Sequence, residues 1–447
     1  MNVRLTLCAA IAANLALLAT AGAQEREQAK TPQEGNLPKL LKVLSDAHAD
    51  GTDLWIYNDL RLARLQAQQE NKPLFVTFRC VPCKACAGFD AEVAKGSEAV
   101  DRLAREKFVA VRQVEMKGVD LSQFEFDYDL NWAAMFIHPD GTVYARYGTQ
   151  SAAGPDAFNS IAGLLATIQR VLKLHEEYPN NRDQLAGKRG PDKPYRTALE
   201  MPGLRNKEKY RGATTRSNCI HCHNIHDAQN FAATDAGRFS IDSLYRYPLP
   251  DNVGLSIDAR DGLRVAKVLP DSPAAKAGLK PGEQITHING QVMTSIADMQ
   301  WALNPLPNDD CQVTVTGSES GPRTLHLTKG WKVSDFSWRG SMWSAAPRLQ
   351  FWAPEAPPEK RRGLNLAENQ KAFEVRYIGN DRPGQSVRKA GLRNGDLIVA
   401  VDGKPLVDMT SPQFHAYVKL NYQVGDRLPI TIVRGGQRMN LEIELVK

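Results

Sequence analysis

Cysteine is scarce in this 447-residue chain, with seven residues in all, and they are not spread along it. Three stand together at Cys80, Cys83 and Cys86 and two at Cys219 and Cys222, while Cys8 and Cys311 stand alone. An exported domain stapled by disulfides distributes its cysteines more evenly, so two tight clusters argue for chemistry. Basic runs are also missing. The 56 Lys and Arg against 50 Asp and Glu leave a net charge of +6 that is dispersed, which excludes a nucleic-acid-binding arm. After the first two dozen residues no apolar stretch of spanning length occurs, so no membrane span is expected beyond them. Neither Gly-x-Ser-x-Gly nor Gly-Asp-Ser-Gly is present, and "GSESG" (317–321) has Glu at its centre, so a serine protease lacks its nucleophile here.

The chain opens "MNVRLTLCAAIAANLALLATAGAQ", in which Arg4 precedes an apolar run ending at Ala21-Gly22-Ala23. This is the pattern of a secretory signal peptide, residues 1–23, cut before Gln24, and it implies a periplasmic or secreted protein. An uncleaved anchor is the alternative, and export follows either way. Residues 24–50 are polar and are expected to form a flexible leader. A helix is expected from Gly51 to Lys72-Pro73, followed by "PLFVTF" as a buried central strand. "FVAVRQVEM" predicts a strand, "AAMFIHPDGTVYARYG" a hairpin, and "DAFNSIAGLLATIQRVLKLHEE" a closing amphipathic helix. Strand–helix alternation over 51–178 predicts a three-layer α/β domain. Residues 179–209, rich in Pro, Asn, Arg and Lys, read as a linker.

Residues 210–237 hold "CIHCH". Two thiols three apart followed by an imidazole form the attachment pattern of c-type haem, with Cys219 and Cys222 as thioether donors and His223 as the iron ligand. A plain disulfide, or zinc on Cys219, Cys222, His223 and His226, are the alternatives. His221 has no role in these readings, and Met201 and Met342 are the methionines considered for a sixth haem position.

Beyond this segment the chain repeats. "SPAAKAGLKPGEQITHINGQV" (272–292) matches "SVRKAGLRNGDLIVAVDGKPL" (386–406), giving units at 238–331 and 361–447 joined by a Trp- and Pro-rich connector, 332–360. Four of the seven tryptophans lie between Trp331 and Trp352, so the connector is expected to pack against a domain.

Three resemblances follow from these residues. "NKPLFVTFRCVPCKACAGFDAEV" resembles the front half of a thioredoxin-like domain. That likeness implies Cys83 as the attacking sulfur at a helix N-terminus, Cys86 as the resolving one and Cys80 as an additional thiol. "NWAAMF", at the place where such folds carry a cis-proline, has none. The repeats resemble circularly permuted PDZ domains of exported bacterial proteins. Their carboxylate-binding loops would be Val253, Gly254 and Leu255 in the first copy and Arg362, Gly363 and Leu364 in the second. The whole resembles the bacterial thioredoxin-like/PDZ-domain (seleno)protein family, as a cysteine-containing member. The expected fold is multidomain α/β plus α+β, with a thioredoxin-like domain, a short Cys-x-x-Cys-His helical segment and two PDZ domains. The function expected is exported thiol and haem c redox chemistry, with protein C-terminal tails and a redox partner protein as partners. The alternative is an envelope scaffold whose cysteine clusters are structural.

Overall fold

The structure, a computed structural model, describes residues 37–49, 51–81 and 87–447. The signal peptide, the first part of the leader, and Cys83 and Cys86 lie outside the described residues. The first unit comprises α1 (Leu37–Leu44), β1 (Ile56–Tyr57), α2 (Leu60–Glu70), β2 (Leu74–Arg79), α3 (Ala87–Ala91), α4 (Glu98–Lys107), β3 (Val109–Gln113), β4 (Trp132–Ile137), β5 (Val143–Tyr147) and α5 (Ile161–Glu177). Its sheet has the order β1-β3-β2-β4-β5, with β2 parallel to β3 and antiparallel to β4.

Both faces of this sheet are covered, and the period of two along the strands decides which residue serves which face. Leu74, Val76 and Phe78 of β2, with Ala133, Met135 and Ile137 of β4, enter one core. Phe75, Trp132, Ala134 and Phe136 enter the other, against α4 and α5. Each fully buried apolar side chain of this size contributes about 1.5–3 kcal/mol.

Three expectations about this unit change. The helix begins at Leu60 rather than Gly51, because the Asp59 side chain caps it by accepting from Leu62 N and the residues before it form β1 beside β3. The leader is not wholly flexible: α1 lies within it, Leu44 is fully buried, and Asp46 binds the Arg112 guanidinium at 2.8 and 3.1 Å. Residues 179–209 are not a free linker either. Ala198, Met201 and Leu204 cover the first face of the sheet together with Ile220, Ile225 and Ala228, the last two in α6 (His223–Asp235). The apolar residues of this stretch are too widely spaced to show a period, so its packing is not visible in sequence.

The first repeat contains β6 (Leu255–Ile257), β7 (Val265–Val268), α7 (Pro273–Lys276), β8 (Ile285–Ile288), β9 (Gln291–Val292), α8 (Ile296–Leu303), β10 (Cys311–Gly317) and β11 (Gly321–Leu327). In the second, β12 (Phe351–Trp352), β13 (Phe373–Glu374) and β14 (Tyr377–Ile378) precede α9 (Arg382–Lys389), β15 (Leu397–Val401), β16 (Lys404–Pro405), α10 (Ser411–Asn421), β17 (Arg427–Arg434) and β18 (Gln437–Glu444). The two correspond: β6 pairs with β7 as β12 pairs with β14, and β8–β10–β11 is matched by β15–β17–β18.

Buried polar groups join the units. Asp298 of α8 receives Lys188 Nζ at 2.5 Å and the Arg146 backbone N–H at 3.1 Å, and the Arg146 guanidinium lies 3.6 Å over the Trp301 ring. The connector does pack, through Phe336, Met342 and Ala345 against Leu244, Tyr245 and Ala416. Its Arg339 reaches Asp127 and Asp129 of the first unit at 2.8 and 3.2 Å.

Candidate functional site

Cys80 follows the last residue of β2, at the C-terminal edge of the sheet. Beneath this edge Arg112 spans Asp46 and Asp90, and Arg79 lies 3.1 Å from Asp90, so charge pairing fixes the ends of β2 and β3 and the start of α3. Burial raises the cost of charge on Asp90, but Arg112, His48 and Arg79 hold it below the usual carboxylate range. The thiol segment thus starts from a rigid base.

The CIHCH loop comes to the same edge. Its His221 Nδ1 lies 2.7 Å from Cys80 Sγ, across 141 residues of sequence. Cys219 Sγ lies 3.7 Å from the carbonyl of Val114, just past the end of β3, and Ile220 O accepts from Met116 N. Cys222 packs against the first-face core. Both Cys219 and Cys222 are free thiols. Burial, with Glu115 and Cys80 nearby, pushes the Cys219 thiol up to about 12, and burial with Cys80 and Cys219 raises Cys222 further. Burial, His223 and Lys209 push His221 down to about 4, so it is neutral at pH 7. Cys80 and the CIHCH loop, more than a hundred residues apart in sequence, thus meet at one edge, and His221, which has no role in the haem or zinc patterns, makes the contact. No local pattern marks it. Only the packing of the loop on the sheet brings it to Cys80.

Covalent haem needs both sulfurs and the imidazole turned to one open face. The residues do not fit that requirement. Cys219 is 4% exposed and, like Cys222, is turned into the protein. The His223 side chain is 42% exposed, with Nδ1 on Asp227 at 3.0 Å and its Cβ side against Gly340. Met201 and Met342 are both core residues, at 1% and 0% exposure. The zinc set is not assembled either, because His226 is turned away to Asp129 at 3.0 Å. Asp127, Asp129 and His226 do converge within 4.8 Å, the one such grouping among the described residues. Its cation is already supplied by Arg339, and Ser341 donates to Asp129 from both N (2.7 Å) and Oγ (2.8 Å). Burial opposes charge on Asp129, yet His226 and Arg339 hold it well below the usual range. This is an ion-paired joint between units, not a metal centre.

In the first repeat, Val253 and Leu255 are buried around Gly254, whose φ of +92° suits glycine. A Cβ there would lie 2.1 Å from Ser272 Oγ. The Gly254 carbonyl accepts from Leu269 N at 2.9 Å. The expected counterpart in the second repeat is corrected: Arg362, Gly363 and Leu364 form a 3-10 turn, not the start of a strand paired like β6. The equivalent loop is Leu349-Gln350-Phe351. Gln350 has φ +45°, and its carbonyl accepts from Gly379 N at 2.8 Å, reproducing the Gly254–Leu269 bond. With glutamine in the glycine's place, the φ-Gly-φ signature is erased here, and the next glycine in the sequence is Gly363.

The chain contains a thioredoxin-like domain and a PDZ domain. The family model for thioredoxin-like proteins matches residues 55–139, and that for the PDZ domain matches 264–307. Among curated proteins, "Probable periplasmic serine endoprotease DegP-like" of Marinomonas sp. (strain MWYL1) is 27% identical over 203 residues, 44% of this chain and 40% of that protein. The periplasmic serine endoprotease DegP of Escherichia coli (strain K12) is 42% identical over 53 residues, 12% of this chain and 11% of its own length. The chain thus spans 40% or less of the length of these relatives. Among solved structures, the HtrA3 PDZ domain bound to a phage-derived ligand is 19% identical, covering 22% of this chain and 82% of that one, with a TM-score of 0.17. Among the described residues no helix is long and apolar enough to cross a membrane.

Proposed function

We propose that this chain is an exported protein of the cell envelope that exchanges disulfides at its thioredoxin-like domain while PDZ units hold the tail of a protein partner. The observation that carries the reading is the meeting of Cys80 with His221, which sets thiols of both cysteine clusters at one edge of a thioredoxin-like sheet. In that fold the edge where parallel strands end is where loops present reactive groups. The periplasmic naming of the DegP-like relatives supports an envelope location. The second repeat is a second PDZ unit in this reading, with Leu349, Gln350 and Phe351 as its carboxylate loop, and a peptide strand adds beside β6 or β12. The inward-turned sulfurs leave haem out of the reading.

The test is reduction of a protein disulfide by the purified full chain, with excess dithiol as electron source. Wild type is expected to turn over, and the triple variant Cys80→Ser/Cys83→Ser/Cys86→Ser to fall to the uncatalysed rate. Equal rates for both, or no turnover by either, rule out the redox half. Binding of peptides with a free C-terminal carboxylate, lost on amidation, checks the PDZ half.

A further inference from the structure

We propose that the CIHCH loop is the thiol partner of Cys80, with Cys222 resolving the mixed disulfide that forms on Cys80 and His221 aligning the Cys80 sulfur. The proposal rests on the thiol-exchange reading above and assigns the segment a chemistry different from haem attachment. A Cys-x-x-Cys-His run with Cys219 on the Val114 carbonyl and Cys222 packed in the core has no open face for a macrocycle. It is instead placed for sulfur–sulfur exchange. His221 Nδ1 sits 2.7 Å from Cys80 Sγ, and Cys222 is the next residue in the same loop, packed toward the sheet that carries Cys80.

The step balances as follows. His221 accepts the proton of Cys80, and the thiolate attacks one sulfur of a substrate disulfide R–S–S–R′. The S–S bond breaks, R′–S⁻ leaves and takes that proton from His221, and a Cys80–S–S–R mixed disulfide remains. The Cys222 sulfur, its proton passing to the same imidazole, attacks the Cys80 sulfur. R–S⁻ leaves as R–SH, and a Cys80–Cys222 disulfide forms. Two protein thiols are oxidised to one disulfide, and the substrate disulfide is reduced to two thiols. An external dithiol then restores the site. His221 is neutral at pH 7 and so has a free ring nitrogen to take a proton, and burial keeps Cys219 and Cys222 in the thiol form while the site is reduced.

The experiment uses the reduced full chain, glutathione disulfide as oxidant, rapid thiol blocking and peptide mapping by mass spectrometry. Wild type is expected to yield a Cys80–Cys222 link, and Cys222→Ser to accumulate glutathione on Cys80 instead. His221→Ala is expected to slow the glutathione release burst about ten-fold at an unchanged melting temperature, with added imidazole restoring part of the rate. The proposal is overturned if Cys80 links only to Cys83 or Cys86 while Cys219 and Cys222 stay reduced. It is equally overturned if protein made with haem-attachment machinery carries haem bonded to Cys219 and Cys222. In the first of these cases disulfide reduction by the full chain survives, so failure here is distinguishable from failure of the redox reading itself.

Discussion

The two repeats share an order of elements but are held in place by different chemistry. The first presents α8 to the thioredoxin-like domain through a carboxylate, Asp298, that meets the fully buried Lys188. The second presents α10 to the connector through a lysine, Lys419, whose ammonium has, among the described residues, two carbonyls and no carboxylate, Ala345 O at 2.5 Å and Pro347 O at 2.9 Å. One joint pairs its buried charge and the other merely hydrogen-bonds it. The difference assigns them separate parts. The paired joint fixes the first repeat against the thioredoxin-like domain, while the unpaired one is sensitive to protonation.

Breaking the paired joint is expected to have the largest effect. Asp298→Asn leaves Lys188 buried opposite a neutral amide, and removal of one partner of a buried pair costs about 3–5 kcal/mol. Loss of that size is large beside the stability of an ordinary domain. Chemical denaturation should therefore show a lowered midpoint for the thioredoxin-like unit and the first repeat together. A double variant, Lys188→Met/Asp298→Leu, removes both charges and should recover most of the loss. Equal instability in the double and single variants would show that packing, not charge, holds the joint.

How much of this was legible in the sequence follows the range of the interaction that decides each feature. β2 to β5 were readable because continuous apolar runs rich in β-formers and the Pro139-Asp140-Gly141 turn are local. The hairpin closes as expected, with His138 N bonded to Thr142 O and Gly141 in a positive-φ conformation. The repeats were readable because Ala-Gly-Leu and Asn/Asp-Gly turns recur at fixed offsets. What the sequence concealed depends on contacts across long separations. The leader helix is anchored by Asp46 to Arg112, 66 residues away, and the thiol site is closed by a Cys80–His221 contact. The haem pattern rests on spacing alone, and spacing says nothing about which way two sulfurs face. The connector was foreseen to pack, but its partners, Asp127 and Asp129, carry no signal beyond ordinary surface-like acidity.

The unpaired joint offers a sharper contrast through pH. Burial, and secondarily Arg348, bring Lys419 down to about 7, against about 10.4 for an unfolded lysine. Between these values the unfolded chain binds the proton more tightly than the folded one. Stability therefore rises with pH from about 7 toward 10, by at most about 1.4 kcal/mol per pH unit, and the contribution is absent below 7. Lys419→Met should flatten this slope in denaturation curves measured across that window, while leaving the Asp298 joint untouched. A variant with the wild-type slope would place the proton elsewhere.

The smallest effect lies in the two loops proposed to take a peptide carboxylate. Gly254 and Gln350 make the same backbone bond to the residue ahead of the following helix, but only the first is a glycine where φ is positive. A side chain in the left-handed region costs about 1–2 kcal/mol, while glycine adds conformational entropy to the unfolded chain and returns part of that gain. Gln350→Gly should thus stabilise the second repeat by less than about 1 kcal/mol. The more telling readout is ligand binding. Glycine removes the side chain beside the backbone N–H groups that would receive a peptide carboxylate, so affinity for a C-terminal peptide should rise in the second repeat toward that of the first. If stability increases and binding does not, the glutamine is tuning the loop's conformation alone, and the two repeats differ in function as well as in anchorage.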